Sequence, residues 1–313
     1  MRALVTGGAG FIGSAIATAL IERGDDVRVL DNLIAGSKEN VPTGTDFWEV
    51  DLRDPDALRE ATRDVEVVFH EAAIRSVPRS IDEPTLVHEC NVTGTLNLLI
   101  ACEKNEVRRL VYASSSSAYG GAHEGKSTED MHPRPLSPYA ASKLSAEYYC
   151  TVWSELKKLS TVSLRYFNVF GPGQSAESKY AAVFPAFVTS LLKGESPVIH
   201  WDGEQSRDFT YIDDVVRANL AAAEAGEQVD GAVINVAGGT PHTINETLEE
   251  IRRVLGSSIE PVYTPRREGD IRHSFADPTL AEEMLRWRVE TPWPEAVGKT
   301  VAWFVKAGRP EDG

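Results

Sequence analysis

A tyrosine and a lysine four positions apart are the residues of this chain best suited to acid–base chemistry. Tyr139 and Lys143 stand at the two ends of the run Tyr-Ala-Ala-Ser-Lys. If this run is helical, both side chains lie on one face, and the lysine ammonium comes close to the tyrosine phenol. A nearby positive charge lowers the pKa of a tyrosine, which can then act as a base near neutral pH. The same spacing also arises by chance, so the surrounding sequence decides its meaning.

Three glycines near the N-terminus predict a phosphate-binding turn. Gly7, Gly10 and Gly13 lie between an apolar strand, Arg2–Val5, and a helical pattern over Phe11–Arg23. Glycine in a tight turn permits a positive φ and lets the backbone approach a pyrophosphate that a Cβ would keep away. The N-terminus of the following helix directs free N–H groups at the anion. We therefore expect a bound dinucleotide here rather than an ordinary turn.

An acidic residue after the second predicted strand indicates which dinucleotide is bound. Asp31 follows the strand Val27–Leu30 and precedes Asn32. A carboxylate at this position accepts hydrogen bonds from the adenosine ribose and repels a 2′-phosphate, which favours NAD over NADP. Asp51 and Leu52 follow the third strand and are expected beside the adenine ring, with a plain turn as the alternative role for Asp51.

Strand and helix patterns alternate through the first half of the chain. The predicted strands are Arg2–Val5, Val27–Leu30, Asp46–Val50, Val65–His70, Arg109–Ser114 and Thr161–Tyr166. This order predicts an α/β fold of the Rossmann type, with a doubly wound parallel sheet. Proline and glycine become frequent after Gly171, which indicates a smaller α/β C-terminal lobe that binds the substrate. We expect an NAD-binding domain over residues 1–168, to which a segment near 207–238 returns, and a lobe built from 169–206 and 239–313.

Composition excludes several classes of partner. The 313 residues include 47 acidic and 32 basic side chains, a net charge of −15 that disfavours nucleic acid and anionic membranes. No apolar run approaches the roughly 18 residues that span a bilayer, and the first residues lack the apolar core of a signal peptide. The sparse cysteines suit a reducing compartment, so we expect a cytoplasmic protein. The histidines and cysteines show no metal-ligand spacing, and we predict no metal site.

Several motifs together resemble one known family. They are TGGAGFIG at 6–13, HEAA at 70–73, NVTGTLN at 91–97, SSSSAYG at 114–120, YAASK at 139–143 and RYFNVFGP at 165–172. In combination they resemble the extended short-chain dehydrogenase/reductase family, and within it the UDP-glucose 4-epimerases and related nucleotide-sugar epimerases. The resemblance runs from Met1 to about Asp277.

The resemblance implies roles for individual residues. Ser115, Tyr139 and Lys143 match the catalytic serine, tyrosine and lysine, with Ser114 and Ser116 as alternatives for the serine. The implied NAD-binding residues are Gly7, Gly10, Phe11, Ile12, Gly13, Asp31, Asn32, Asp51, Leu52, Ala72 and Asn91, together with Tyr139 and Lys143. The implied substrate-binding residues are Ser115, Asn168, Phe184, Arg207, Arg267, Asp270 and Ser274. A structural amide is the alternative for Asn168, and a surface ion pair is the alternative for each arginine.

The resemblance implies 4-epimerisation of a UDP-hexose through a 4-keto intermediate. Related dehydratases and decarboxylases carry acidic residues where this chain has Ser116 and Ser117, and a serine cannot replace such an acid near neutral pH. Ser274 stands where glucose/galactose epimerases carry a bulky tyrosine, so UDP-N-acetylhexosamines could also enter. The alternatives are a UDP-glucuronate 4-epimerase and a nucleotide-sugar dehydrogenase or reductase. A non-catalytic NAD-binding scaffold is disfavoured, because Ser115, Tyr139 and Lys143 are intact.

The relatives also imply an assembly. Two predicted helices, Asn91–Glu103 and Ser142–Leu156, carry extensive apolar faces. In the resembled family two such helices from each subunit form a four-helix interface. We therefore expect a twofold-symmetric homodimer.

Overall fold

The computed structural model of the chain describes residues 1–121, 125–175, 182–266 and 271–307. Its strands are β1 (Arg2–Thr6), β2 (Asp26–Asp31), β3 (Asp46–Glu49), β4 (Val67–His70), β5 (Arg109–Ser115), β6 (Ser160–Tyr166), β7 (Val169–Phe170), β8 (Val198–His200), β9 (Ser206–Asp208), β10 (Thr210–Tyr211), β11 (Val233–Val236), β12 (Pro241–Thr243), β13 (Val262–Thr264) and β14 (His273–Ser274). Its helices are α1 (Phe11–Glu22), α2 (Pro55–Ala61), α3 (Val77–Asp82), α4 (Pro84–His88), α5 (Gly94–Lys104), α6 (Pro138–Glu155), α7 (Val183–Leu192), α8 (Ile212–Glu224), α9 (Ile244–Leu255), α10 (Thr279–Leu285) and α11 (Trp293–Ala307).

Seven strands form one parallel sheet, which confirms the predicted Rossmann-type fold. Their order across the sheet is β11-β6-β5-β4-β1-β2-β3, and each neighbouring pair is parallel. The chain starts in the middle, builds outward to β3, then returns to place β4, β5 and β6 on the other side of β1. This reversal leaves a crevice between β1 and β4, where ligands bind in open sheets of this kind.

Both faces of the sheet are buried, and this explains why its strands are apolar runs rather than alternating patterns. Val5 in β1 packs toward α1 and α8, whereas its neighbour Leu4 packs toward α2, α5 and α6. The two hydrophobic layers hold the strands rigidly between helices. Because the strands are parallel, their carboxyl ends meet at one side of the sheet, where Thr6, Asp31, His70, Ser115 and Tyr166 come together.

The second half of the chain is shared between the sheet and smaller elements. β11 pairs with β6, and α8 packs against α1, so this segment does return to the first sheet. The helices α7, α9 and α11 pack together, and β9 lies between β12 and β14 in a separate three-stranded sheet. The proposed domain boundaries themselves stay a prediction. Along the described ranges, no helix is both long and apolar enough to cross a bilayer.

Candidate active site

A cleft along the carboxyl ends of the central strands gathers most of the predicted catalytic and cofactor residues. It encloses about 1500 Å³, counting its open mouth. The predicted residues that line it are Gly7, Gly10, Phe11, Ile12, Gly13, Ala72, Ser115, Tyr139, Lys143 and Asn168. A smaller pocket lined by Asp31, Asn32, Asp51 and Leu52 shares its Ala35, Ala72 and Ala73 walls with the cleft.

The glycine turn is shaped for a pyrophosphate. Gly7 has φ +70°, and a Cβ there would lie 2.6 Å from the Ala72 backbone nitrogen. A Cβ on Gly13 would come well inside 3.0 Å of the Gly7 carbonyl oxygen. Helix α1 starts directly after Gly10, which offers no side-chain cap, so the first helical N–H groups can bind an anion. The residues present therefore fit the diphosphate of a dinucleotide.

The smaller pocket is built for an adenosine. The Asp31 carboxylate accepts hydrogen bonds from the backbone N–H groups of Ala9 (3.1 Å) and Leu33 (2.8 Å), which hold it at the pocket wall. Asp51 accepts from the Arg53 guanidinium and from Asn32 Nδ2 (2.8 Å), and these contacts hold the pKa of the Asp51 carboxyl well below its usual range. Asp51 also accepts from the Arg53 backbone N–H (2.8 Å) and so closes a local turn. Asp51 therefore has the turn role, and its place beside the adenine ring stays a prediction.

Asn91 does not line either cavity, and its predicted cofactor contact stays a prediction. Its side chain is buried, and its Oδ1 accepts from the Ile74 N–H (2.8 Å). Its Nδ2 donates to the Ile74 carbonyl (3.1 Å) and to Ser142 Oγ (3.0 Å). The amide is therefore committed to holding the loop that follows β4, the loop that carries Ala72, against α6.

The start of α6 places the tyrosine and the lysine on one face. Ser137 Oγ caps the helix by accepting from the Ala140 N–H (3.1 Å), so Tyr139 and Lys143 occupy its first two turns. Lys143 is only 3% exposed, and its Nζ lies 4.5 Å from the ring centroid of Tyr112. The Tyr139 phenol is half-buried, and it lines the cleft beside Ser115 at the end of β5.

The structure distinguishes the serines that the sequence leaves as alternatives. Ser114 is buried and donates from Oγ to Glu147 Oε2 (2.6 Å) on α6, so its hydroxyl is already engaged. Ser115 instead faces Tyr139 and accepts from the Ser117 hydroxyl (2.9 Å). Ser116 also lines the cleft, so the choice of Ser115 as the serine that works beside the phenol stays a prediction.

The charge state of this pair differs from the expectation. Burial raises the pKa of Tyr139, and the opposing effects of the Ser115 hydrogen bond and the Arg75 charge are smaller. Burial also lowers the pKa of Lys143 to about 8, against the opposing negative charge of Glu71. In the protein alone the tyrosine is therefore not activated, because desolvation outweighs the nearby positive charges. The cationic ring of oxidised NAD, when bound, would supply additional positive charge.

Of the predicted substrate residues that the structure describes, Ser115 and Asn168 line the cleft. Asn168 lines the cleft, with φ +35° and its Nδ2 donating to the Asp208 carbonyl in β9 (3.0 Å). Arg207 and Ser274 are register partners of the neighbouring strands β9 and β14. Arg207 donates to the Ser206 carbonyl (2.8 Å). The predicted residues Arg267 and Asp270 lie outside the described residues.

Phe184 does not border the cleft, so its predicted place beside the nucleotide base stays a prediction. Its ring is buried and stacks on Phe170, with centroids 4.2 Å apart and planes 11° from parallel. Edge contacts with Phe209 and Trp293 complete an aromatic cluster. Because the Phe184 ring is buried on one face of α7, it forms part of the hydrophobic core of the C-terminal lobe.

Three further residues of the cleft are not predicted by the sequence patterns. Glu71, Arg75 and Tyr166 line the same cavity as Tyr139 and Lys143. Glu71 and Tyr166 sit inside motifs that the resemblance uses only as family markers. For Glu71, the sequence does offer one signal of a role in the site. It is a charged residue directly after the buried strand β4, at the end of the strand where ligands bind in such sheets. Within the described ranges, no group of three or more His, Cys, Asp or Glu side chains could hold a metal ion.

A known protein family shares the sequence features of this site. The model of the NAD dependent epimerase/dehydratase family matches residues 3–237. The chain belongs to this family. Its members require NAD, which agrees with the cradle and the acidic residue after β2.

Individual relatives cover nearly the whole chain. A UDP-glucose 4-epimerase of Mycolicibacterium smegmatis is 37% identical over 311 residues, covering 97% of this chain and 98% of the relative. A solved UDP-N-acetylglucosamine 4-epimerase of Methanobrevibacter ruminantium, in complex with UDP-N-acetylmuramic acid, has a TM-score of 0.93 and 42% identity over 98% of each chain. A UDP-glucose 4-epimerase of Thermus thermophilus in complex with NAD has a TM-score of 0.90 and 39% identity, covering 98% of this chain and 100% of that one.

Proposed function

We propose that the protein is a UDP-sugar 4-epimerase that accepts UDP-hexoses, including UDP-N-acetylhexosamines. The observation that carries this proposal is that Ser115, Tyr139 and Lys143 line one cleft together with the glycine turn of the dinucleotide cradle. The relatives support the same substrate class, since they are UDP-glucose and UDP-N-acetylglucosamine 4-epimerases.

The chain's own residues perform the proton chemistry. Bound NAD supplies a reversible hydride acceptor for C4 of the sugar. Tyr139 accepts the proton of the 4-hydroxyl group, and Ser115 hydrogen-bonds to the same oxygen and orients it. Lys143 stabilises the phenolate and holds the cofactor ribose. The 4-keto sugar then rotates in the cleft to present its opposite face. Tyr139 returns the proton to O4 as the inverted configuration forms at C4.

Elimination is disfavoured by what surrounds the phenol. A dehydratase needs a second acid–base group to remove the C5 proton and to protonate the leaving hydroxyl. The positions after Ser115 carry Ser116 and Ser117, and Ser117 donates its hydroxyl proton to Ser115. With one proton relay, hydride transfer without loss of water is the supported reaction.

Epimerisation requires the sugar to turn while the nucleotide stays fixed. Asn168 at the cleft wall and Arg207 on the adjoining strand are proposed to hold the diphosphate, together with Arg267. Asp270 is proposed to accept a hydrogen bond from the uridine ribose. The hydrogen bond from Asn168 to the Asp208 carbonyl fastens the end of β6 to β9, the strand that carries Arg207. In this proposal the diphosphate is held by Asn168 and Arg207, and the sugar rotates beside Tyr139.

One experiment tests the proposal directly. The purified holoenzyme is incubated separately with UDP-glucose, UDP-N-acetylglucosamine and UDP-glucuronate, and proton NMR follows the anomeric signals. We expect 4-epimers of the first two sugars, with no net NADH absorbance when excess NAD is added. Stoichiometric accumulation of NADH would instead identify a dehydrogenase, and unchanged spectra with all three sugars would refute the proposal.

A UDP-glucuronate 4-epimerase is the second candidate, and Arg75 favours it. Arg75 lines the cleft, and its charge acts on Tyr139, so a cation stands near the reacting sugar. A guanidinium group pairs readily with a carboxylate. Conversion of UDP-glucuronate alone in the NMR panel would favour this candidate over the first.

Ser274 is proposed to decide the size of the sugar. In β14 it lies in register with Arg207, and its short side chain leaves room for a 2-acetamido group. Ser274→Tyr should reduce kcat/KM for UDP-N-acetylglucosamine by about 10-fold or more, because filling a pocket excludes the extra atoms. Turnover of UDP-glucose should change by less than about threefold. Equal losses for both sugars, measured in steady-state assays, would show that the serine only packs.

A homodimer is proposed from an exposed apolar stripe on α6. Tyr149 and Val152 are exposed on α6, Leu156 is exposed directly after it, and Ile100 is exposed on the neighbouring α5. Light scattering should give twice the chain mass of 34.2 kDa. Val152→Glu should shift the particle to the monomer, because a charge buried in an apolar interface is unfavourable. Leu192→Glu, at an equally exposed apolar position on α7, is the matched control and should remain dimeric.

We also infer a cytoplasmic location. Cys90, Cys102 and Cys150 are free and buried, as is typical of proteins from a reducing compartment. Fractionation of cells that express the tagged chain would test this assignment.

A further inference from the structure

Glu71 is a carboxyl group in the wall of the catalytic cleft that has no part in the proposed proton relay. It follows β4 directly and lines the cavity with Tyr139 and Lys143. Its Oε1 lies 2.9 Å from the hydroxyl of Tyr166, at the end of β6. That hydroxyl lies 2.9 Å from Asn219 Oδ1 on α8. Tyr166 and Asn219 are both buried, so water does not replace these contacts.

The oxygen atoms of Glu71, Tyr166 and Asn219 form two contacts, and the single proton of the Tyr166 hydroxyl can supply a hydrogen bond to only one of them. Asn219 Nδ2 donates to the Val215 carbonyl (2.9 Å), which fixes the amide so that its Oδ1 faces Tyr166 and can only accept. The tyrosine hydroxyl carries a single proton. If that proton goes to Asn219, the contact between Tyr166 and Glu71 requires a proton on the Glu71 carboxyl. If Glu71 is ionised, the tyrosine proton turns toward it and the buried Asn219 oxygen loses its donor.

The need of the buried Asn219 oxygen for the Tyr166 proton favours a protonated Glu71 carboxyl, whereas the neighbouring charge of Lys143 favours the ionised carboxylate. Lys143 favours the ionised carboxylate, and Glu71 in turn favours the charged ammonium. The carboxylate also disfavours ionisation of the Tyr139 phenol. Within the described part of the chain, no ion pair shorter than 4.0 Å joins Glu71 to Lys143, so the coupling acts through space. The other titratable or charged groups that face this cluster are His70, Arg75, Tyr112, Glu147 and Cys150.

We propose that Glu71 is a positioning residue that sets the charge of the Tyr139–Lys143 pair. When the carboxyl group ionises, its proton leaves to the solvent in the cleft and the Tyr166 hydroxyl turns its own proton from Asn219 toward Glu71. The resulting carboxylate keeps the Lys143 ammonium charged. The kinetic test of this inference rests on the proposed function. The inference itself concerns only the protonation of Glu71, Tyr139 and Lys143.

Together these effects place the ionisation of the Glu71 carboxyl near neutral pH. Burial raises the pKa of Glu71 to about 7, and burial lowers the pKa of Lys143 to about 8. A negative charge raises the pKa of every neighbouring acid or base. Removing the Glu71 charge must therefore lower the pKa of Tyr139 and the pKa of Lys143 together. A purely structural loss would reduce activity without moving either value.

Glu71→Gln is the informative variant, because its amide can donate to Tyr166 and so preserves both contacts while removing the charge. The pH profile of kcat/KM for the holoenzyme should shift as a whole toward acid by about one pH unit, on both limbs. Ultraviolet titration of tyrosinate should show the same displacement, with Tyr139→Phe as the baseline that identifies the Tyr139 contribution. Glu71→Asp, which keeps the charge, should return both limbs toward those of the wild type.

The controls separate the possible failures. Glu283→Gln removes the same charge from an exposed position on α10 and should leave the profile in place. An unshifted profile and an unshifted tyrosinate titration in folded Glu71→Gln protein would overturn the inference, even if activity fell. If the wild type has no 4-epimerase activity, the proposed function fails, and the tyrosinate titration still tests the role of Glu71.

Discussion

Tyr139→Phe is expected to lower the turnover number of the epimerase reaction by about 10²–10⁴-fold, the usual contribution of a general acid–base group. The substitution removes only the phenolic oxygen that Ser115 contacts. The ring remains, so α6 and the cleft wall keep their packing. Ser115 stays bonded to Ser117 through its own hydroxyl (2.9 Å). Steady-state kinetics should therefore show a loss in turnover with KM changed by less than about threefold.

The matched control lies on the same helix. Tyr148 is 53% exposed on α6, and Tyr148→Phe removes an equivalent hydroxyl outside the cleft. Its turnover number should stay within about twofold of the wild-type value. The NAD content of Tyr139→Phe, measured after denaturation, should equal that of the wild type, since the cradle is untouched. A Tyr139→Phe enzyme that kept more than about a tenth of the wild-type turnover would exclude the tyrosine as the principal base.

The sheet and its cofactor cradle can be predicted because their signals are local. β1, the glycine turn and α1 occupy one continuous stretch, and the spacing of Gly7, Gly10 and Gly13 has few uses other than the one observed. The central strands β1, β4 and β5 are buried on both faces, so they appear as largely apolar runs bounded by turns. Such runs predict parallel strands without any knowledge of their partners.

Two predicted contacts, those of Phe184 and Asn91, depend on long-range packing and stay predictions. Phe184 lies near a substrate motif in the sequence, which favours a place beside the base, but its ring is buried against Phe170, from a separate segment. The motif around Asn91 favours a cofactor contact, yet the loop after β4 takes its amide. Neither partner is adjacent in the sequence, so no local pattern can show the outcome.

The charge state of the site is also beyond sequence reasoning. The spacing of Tyr139 and Lys143 correctly places them on one helix face, but it does not reveal how deeply they are buried. Burial raises the pKa of the tyrosine and lowers the pKa of the lysine, and Glu71 acts on both. These effects depend on side chains from β4, β5 and α6 that only the fold brings together.

Gly13→Ala tests the cradle at its tightest point, and we expect NAD affinity to fall by about 10²-fold. The added Cβ would lie well inside 3.0 Å of the Gly7 carbonyl oxygen and also within 3.0 Å of Gly8 Cα (2.9 Å). Both are backbone atoms, so relief requires the turn itself to move away from the start of α1. The N–H groups that face the diphosphate would then be displaced. Calorimetric titration of cofactor-free protein with NAD measures the change.

Overpacking also lowers the free energy of unfolding, by about 1–3 kcal/mol, so the affinity must be measured on protein shown to be folded by circular dichroism. Gly298→Ala is the matched control, because nothing lies within 4 Å of a Cβ at that position in α11. That variant should gain about 0.5–1 kcal/mol of stability and bind NAD normally, since alanine is the better helix former. If folded Gly13→Ala bound NAD as tightly as Gly298→Ala, the close approach of helix and turn would not be what shapes the diphosphate site.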